Sequence, residues 1–399
     1  MKDVFIYQAI RSPRARAKEN GGLHDLLPQE VLQQLYQHLV ERTGLDPAVV
    51  GEVILGCVTQ HGEQAGNIAK ASVMFAGWPS SVGGMTVNRF CSSGIDAIGL
   101  GALKIAAGQE QAIVAGGVEM MSRVPMLADQ AKVFMDPAFA ARCQMLMMGS
   151  GADLIASLNN VTRETADMIA VQSQQRAAHA RDNGYFKSIV PVYNPVKDIT
   201  VTQDECIRAD ATVAALGELA PAFAGIGAKG VDALQLAANE ELDEIDHIHT
   251  AGNSPAMADA AALALLGDGE LGAALGLKPR ARLVASASAS DDPLQVLSGC
   301  VAATRKLMAQ QGLDAADVDL FELHEAFAAT VVKCRNDLGI DDDKLNVNGG
   351  VIALGHPMGA TGAIMAGVLL DEMERRDVQR GIVAASGAGG SGSALLIER

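Results

Sequence analysis

The sequence predicts an α/β fold of two duplicated halves with an inserted domain between them, on three observations. Short β-branched runs alternate with helix-length amphipathic stretches, the pattern returns near the C-terminus, and the middle of the chain breaks it. In order, Val4–Tyr7 reads as a strand. Gln29–Thr43 reads as a helix, because Val31, Leu32, Leu35, Leu39 and Val40 fall on one face. Val53–Leu55 is a second strand, Ile95–Ala107 a helix of small residues, and Gln111–Ala115 a buried strand running into Gly116-Gly117. The stretch Gly44–Val50 before Val53–Leu55 is echoed by Gly312–Val318 before Leu320–Leu323, 268 residues on. Ile113-Val114-Ala115 is echoed by Ile382-Val383-Ala384, 269 residues on. Two echoes at nearly one offset indicate a duplicated half rather than a solenoid. Residues 124–250, rich in methionine and helix formers with scattered prolines, read as an insertion covering a site. The expected division is therefore 1–123, 124–250 and 251–399.

Composition narrows the function. A chain of 399 residues, 49% hydrophobic and 20% charged, holds two or three globular domains and is not disordered. Its formal charge of −16 repels phosphate backbones, which argues against nucleic acid and requires any phosphorylated ligand to meet a local basic cluster. Six cysteines without paired spacing suit a reducing compartment. The N-terminus lacks a signal-peptide pattern and no apolar run is long enough to span a membrane, so a cytoplasmic location is expected. Asp246-His247-Ile248-His249 lacks a third ligand, and no metal site is expected. Glu240–Asp246 and Asp341–Asp343 read as solvated acidic faces.

Three motifs carry chemistry. In Asn88–Gly94, Cys91 stands at a turn entering a helix, where backbone N–H groups and the helix dipole favour a thiolate; the alternative is a buried structural cysteine. Small residues around it let a bulky thioester approach. In Gly355–Gly362, glycines and a proline frame His356 so that the imidazole is presented rather than packed. A Cys and a His on opposite halves suit nucleophile activation. His324-Glu325, between a strand and a helix, is placed to polarise a carbonyl or hold a water, unless Glu325 only caps the helix. Gly387–Gly392 matches a dinucleotide fingerprint, but the chain ends too soon for one. Its glycines instead expose backbone N–H groups of the kind an oxyanion hole needs.

With Gly116–Ser122, Thr250–Asn253 and Asn348–Gly362, these segments resemble the thiolase family, acetyl-CoA acetyltransferases and 3-ketoacyl-CoA thiolases, along essentially the whole chain. The resemblance implies a five-layer αβαβα sandwich of two halves with a loop domain that binds coenzyme A. It implies a homodimer or homotetramer, with a β-oxidation partner subunit as a further option. Coenzyme A and acyl-CoA are then substrates, with no permanently bound cofactor. By the resemblance, Cys91 takes the acyl group and His356 activates it and belongs to an oxyanion hole. The backbone N–H groups of Cys91 and Ala388 form a second hole. His324 stands where many thiolases have Asn holding a water. Arg208, Ala222, Phe223 and Ser254 match coenzyme A-contacting positions, Met148 lines the acyl end, and Phe327 and Val296 count with the substrate-binding positions.

The departures matter as much. Thiolases carry a second catalytic Cys where this chain has Ser386, and a serine hydroxyl, far too weak an acid to ionise near pH 7, is a poor proton acceptor. Ser386 relaying a proton to a neighbour, an engineered change, and a reaction that avoids the step all stay open. Val296–Cys300 replaces the family's Met and glycine-proline loop. A smaller Val296 leaves room for a longer acyl chain, and Cys300 reads as core filler. The expected function is coenzyme A-dependent cleavage of 3-ketoacyl-CoA, or the reverse Claisen condensation. The alternatives are a decarboxylative condensing or acyl-transfer enzyme using Cys91, His324 and His356, and an impaired acyl-CoA-binding protein.

Overall fold

The computed structural model describes residues 1–399. The first half runs β1 (Phe5–Arg11), β2 (Ala15–Arg16), α1 (Pro28–Thr43), β3 (Glu52–Gly56), α2 (Ile68–Phe75), β4 (Gly83–Val87), α3 (Ser93–Ala106) and β5 (Ala112–Met120). The insertion carries α4 (Lys132–Met135), α5 (Pro137–Cys143), α6 (Met148–Leu158) and α7 (Arg163–Asp182). A hairpin of β6 (Val192–Asn194) and β7 (Ile199–Val201) follows, then α8 (Val213–Gly217), α9 (Ala224–Ile226) and α10 (Asp232–Ala238). After it come β8 (Ala258–Gly267), α11 (Gly269–Leu275), β9 (Ala281–Ser290), α12 (Gly299–Gln311) and β10 (Leu320–Leu323). The chain closes with α13 (Ala328–Leu338), α14 (Val351–Leu354), α15 (Met358–Arg376), β11 (Arg380–Ser386) and β12 (Ser391–Glu398).

Local chemistry sets the boundaries. Pro28 opens α1 and Glu30 accepts the Leu27 N–H at 2.7 Å, while Gly44 at φ 67° ends the helix. Gly312 at φ 65° ends α12 in the same way.

The strands form one path, β10-β11-β12-β9-β1-β8-β5-β3-β4, with β2 against β8. It narrows at β1 and β9, which pair only through Phe5 with Arg282 and Ile6 with Ala281. On either side the same arrangement recurs. β3 runs parallel to β5 with Glu52 opposite Ile113, and β10 runs parallel to β11 with Leu320 opposite Gly381. An antiparallel strand follows in each half, β8 or β12. The duplication read from the sequence is thus a duplicated sheet. The expected division at residue 251 needs one correction. β8 lies between β1 and β5, so the first half's sheet is completed by residues 258–267. Its ten residues are all buried, as a central strand covered on both faces must be.

Three layers of helices alternate with the two halves of the sheet, making five layers. α1 and α2 cover the outer face of the first sheet, with Leu32, Leu35 and Leu39 packed on Val53, Leu55 and Val114. α12 and α13 do the same for the second, where Val301 and Leu307 meet Phe321, Ile382 and Leu396. Between the sheets lie α3 and α15, whose Ile95, Ile98, Ile364 and Val368 pack with Ile113, Leu266, Val383 and Leu395. Alternate residues of β5 and β11 serve inner and outer cores, which is why those strands read as unbroken apolar runs. The insertion's core is shared with the second half, Leu154, Ile155 and Ala170 packing with Leu294 and Val332. Arg11 at the end of β1 holds the insertion through a buried bidentate pair with Asp204, at 2.7 and 2.8 Å. No helix is long and apolar enough to cross a membrane.

Candidate active site

α3 and α15 bring their N-terminal ends together over the C-terminal ends of β3 and β5, and glycines make this possible. A Cβ on Gly117 would stand 2.2 Å from the Gly359 carbonyl oxygen, and one on Gly94 would stand 2.7 Å from the Ala363 nitrogen. The small residues around Cys91 therefore serve backbone packing between the two helices, beyond the substrate access expected of them. Glu119 of β5 fixes the approach. Its buried carboxylate accepts from the N–H groups of Val58, Thr59 and Gly359 and from the Gln64 amide, at 2.8 to 3.1 Å.

Cys91, just before α3, and His356, just before α15, meet at this crossing, with Sγ 3.1 Å from Nε2. The Thr361 hydroxyl donates to the Pro357 carbonyl, so it accepts from His356 Nδ1–H at 2.8 Å. This fixes the tautomer: Nε2 carries the lone pair that faces the thiol. Burial pushes the Cys91 thiol up to about 12, aided by Glu119, and outweighs the helix terminus from which a thiolate was expected. Burial, with His324 and the Arg14 guanidinium, holds His356 well below the usual imidazole value. The resting pair is a neutral thiol against a neutral imidazole.

The pair lies in a cavity of about 820 Å³. Of the residues singled out in the sequence, Cys91, His356, His324, Met148, Arg208, Ala222, Phe223, Ser254 and Phe327 line it. Pro255 lines it too. Its mouth is basic in an acidic molecule, since Arg16, Lys18 and Arg208 are all exposed there. Met121, Met126, Met147 and Met148 make its wall apolar and adaptable. The sequence reading missed Arg16, Lys18 and Cys206 because they stand outside any glycine-framed motif.

Two expected site residues, Ser386 and Val296, lie elsewhere, and Ala388 offers only its backbone. The Ser386 hydroxyl donates to the Leu297 carbonyl at 2.5 Å and accepts the Cys300 N–H at 2.9 Å, so it is turned toward the start of α12 and does not line the cavity. Val296 is fully buried in the insertion's core, and Leu297 lines the cavity instead. Val296 does not enlarge the acyl site. Its φ of 58° is unusual for a β-branched residue and turns the loop so that its carbonyl accepts the Gly390 N–H. The Ala388 side chain packs in that core as well, while its N–H has no partner in the protein. Cys300 packs in the outer core of the second half with Cys334, as filler.

Glu325 does not cap α13, the helix that follows it, and does not face the cavity. It accepts from the Ser173 hydroxyl at 2.7 Å and from the N–H of Ile352 at 3.2 Å, tying α7 to the segment that carries His356. His247 and His249 both bond Asp153, at 2.9 and 2.7 Å, and no group of residues is arranged for a metal. His249 packs edge-on against Phe327, which packs against Phe223 in the cavity wall.

Comparison with known proteins gives the class. Residues 4–233 match the thiolase N-terminal domain model and residues 277–399 the thiolase C-terminal domain model. A 3-ketoacyl-CoA thiolase of Serratia proteamaculans is 37% identical, and a 3-oxoadipyl-CoA/3-oxo-5,6-dehydrosuberyl-CoA thiolase of Escherichia coli 35%, each over the whole of both chains. The crystal structure of a Bacillus anthracis acetyl-CoA acetyltransferase superposes with a TM-score of 0.87 at 34% identity, covering 100% of this chain and 99% of that one. The chain belongs to the thiolase family. It is an acyltransferase of the thiolase type.

Proposed function

We propose that the protein cleaves 3-ketoacyl-CoA with coenzyme A, or runs the reverse condensation, through an acyl-Cys91 intermediate. The observation that carries this reading is the 3.1 Å contact between Cys91 Sγ and His356 Nε2 inside a cavity with a basic mouth. As the sulfur attacks the 3-keto carbon, its proton passes to Nε2, and acetyl-CoA leaves. The free N–H groups of Cys91 and Ala388 support their assignment to an oxyanion hole. Arg16, Lys18 and Arg208 suit the phosphates of coenzyme A, which enters as co-substrate, and the methionine wall suits the acyl chain.

The test is coenzyme A-dependent loss of 3-ketoacyl-CoA, read with the intact mass of the protein. Cys91→Ala is expected to lose both turnover and the covalent acyl adduct. Full acylation of that variant would overturn the assignment. We also infer a homodimer or homotetramer. β4 ends the sheet with an unpaired edge, and Leu100 and Leu103 of the neighbouring α3 are exposed. A monomer by light scattering at micromolar concentration would contradict this.

A further inference from the structure

We propose that His324 carries the proton to and from C2 of the acetyl unit, the duty that the Ser386 hydroxyl is not placed to perform. The inference rests on the thiolase reading and deepens it.

Cleavage needs two proton movements besides the one from Cys91 to His356. When the C2–C3 bond breaks, its electron pair stays on C2 of the departing acetyl-CoA and must be protonated. When coenzyme A then attacks the acyl-enzyme, its thiol must lose a proton. His356 has both ring nitrogens engaged, by Cys91 and by Thr361. Ser386 has its donor and an acceptor position engaged outside the cavity.

His324 is the opposite case. Its side chain is 2% exposed, lines the cavity, and has neither ring nitrogen in a hydrogen bond with the protein. A buried imidazole with two idle nitrogens requires an explanation, and a substrate atom supplies one. The ring centroids of His324 and His356 are 4.6 Å apart, so the two imidazoles work on one small volume. Burial lowers His324 to about 4, opposed by the nearby Ser386 backbone, whose contact with the ring falls short of hydrogen-bond geometry, so the ring is a neutral acceptor near pH 7.

One proton then balances each half of the reaction. The proton leaving Cys91 passes through the imidazole pair, and the thiolate forms the S–C3 bond. The C2–C3 bond breaks and His324 delivers that proton to C2. In the second half, His324 takes the thiol proton of coenzyme A, whose sulfur attacks the acyl carbonyl. The Cys91 S–C bond breaks, and the imidazole pair returns the proton to Cys91.

Cys206 is the rival carrier. Its sulfur lies in the cavity wall beside Gly355, but burial pushes its thiol up to about 11, with Asp204 adding to the effect.

The experiment follows exchange of the acetyl-CoA methyl protons with deuterium oxide by NMR, alongside Cys91 acylation by mass, in wild type, His324→Asn, His324→Ala, Ser386→Ala and Cys206→Ser. Asn keeps a neutral hydrogen-bond donor for an oxyanion but cannot carry the proton. His324→Asn is expected to acylate Cys91 from acetyl-CoA more slowly but still fully, because the coenzyme A thiolate can leave unprotonated, yet to lose exchange at C2 by about 100-fold or more. Added imidazole is expected to restore exchange to His324→Ala, an effect that a merely structural histidine would not show.

Retained exchange in an acylated His324→Asn overturns the proposal. So does loss of exchange in Ser386→Ala or Cys206→Ser while His324→Asn keeps it. Acylated wild type without exchange also overturns it. Wild type that is never acylated sinks the thiolase reading itself, a separate result.

Discussion

Thr361 has no chemistry of its own, yet it decides which nitrogen of His356 faces the nucleophile. Thr361→Val keeps the shape and removes the acceptor. Acylation of Cys91 is expected to slow by roughly 10- to 100-fold, and Thr361→Ser to recover most of it, in single-turnover mass measurements. The His356 environment also fixes a pH signature. Burial, His324 and Arg14 all favour the neutral ring, so the base form persists below pH 6.5 and is lost only as pH falls through the lowered value. The acid limb of the acylation rate should therefore lie well below 6.5; a limb at or above it would contradict this environment. Cys91 and His356 were legible because glycines and small residues announced them. Thr361 was not, since a hydroxyl five residues along a helix leaves no distinctive pattern. Ser386 and Val296 were misjudged because position in a motif does not fix the direction of a side chain. The hydroxyl found nearer partners at α12, and the loop turned Val296 inward.

At the scale of elements, most strands and helices matched the periodicity to within a few residues. The exceptions are physical. β5 extends through Gly116-Gly117 to Met120, because these glycines are required by close neighbours, Gly117 by the start of α15 and Gly116 by Ala262 of β8. β8 was hidden because a run of Ala and Leu reads equally as helix, and only pairing with β1 and β5 decides. The insertion is held to the halves by charge as well as packing. Arg11→Met leaves Asp204 buried without its bidentate partner and should cost about 3 to 5 kcal/mol in urea unfolding. Within the insertion itself, His247 provides a gentler tie. Burial works against its charge, but bonds to Asp153 and Asp232 prevail and raise its pKa. Its contribution is therefore full below pH 6.5 and is lost as pH rises through the folded value. His247→Gln should cost about 1 kcal/mol in acid and less at about pH 9. An equal cost at both would show that its charge is not involved.

For the whole molecule, the duplication makes equivalent positions into matched probes. Gly44 and Gly312 end α1 and α12 at φ 67° and 65°, with nothing near a Cβ at either. Alanine at each should cost about 1 kcal/mol through backbone strain alone, and similar amounts in both. A large difference in denaturation midpoint would mean that the copies have diverged in rigidity.

The narrow join between the copies also imposes an order of events on a chain made from its N-terminus. Cys91 and His356 lie 265 residues apart in the chain, and each leads into one of the two central helices. Until the second copy has emerged, the thiol has no base beside it. A nascent chain bathed in acyl-CoA is thus expected to stay unacylated until the segment that carries His356 has been made and has folded against α3.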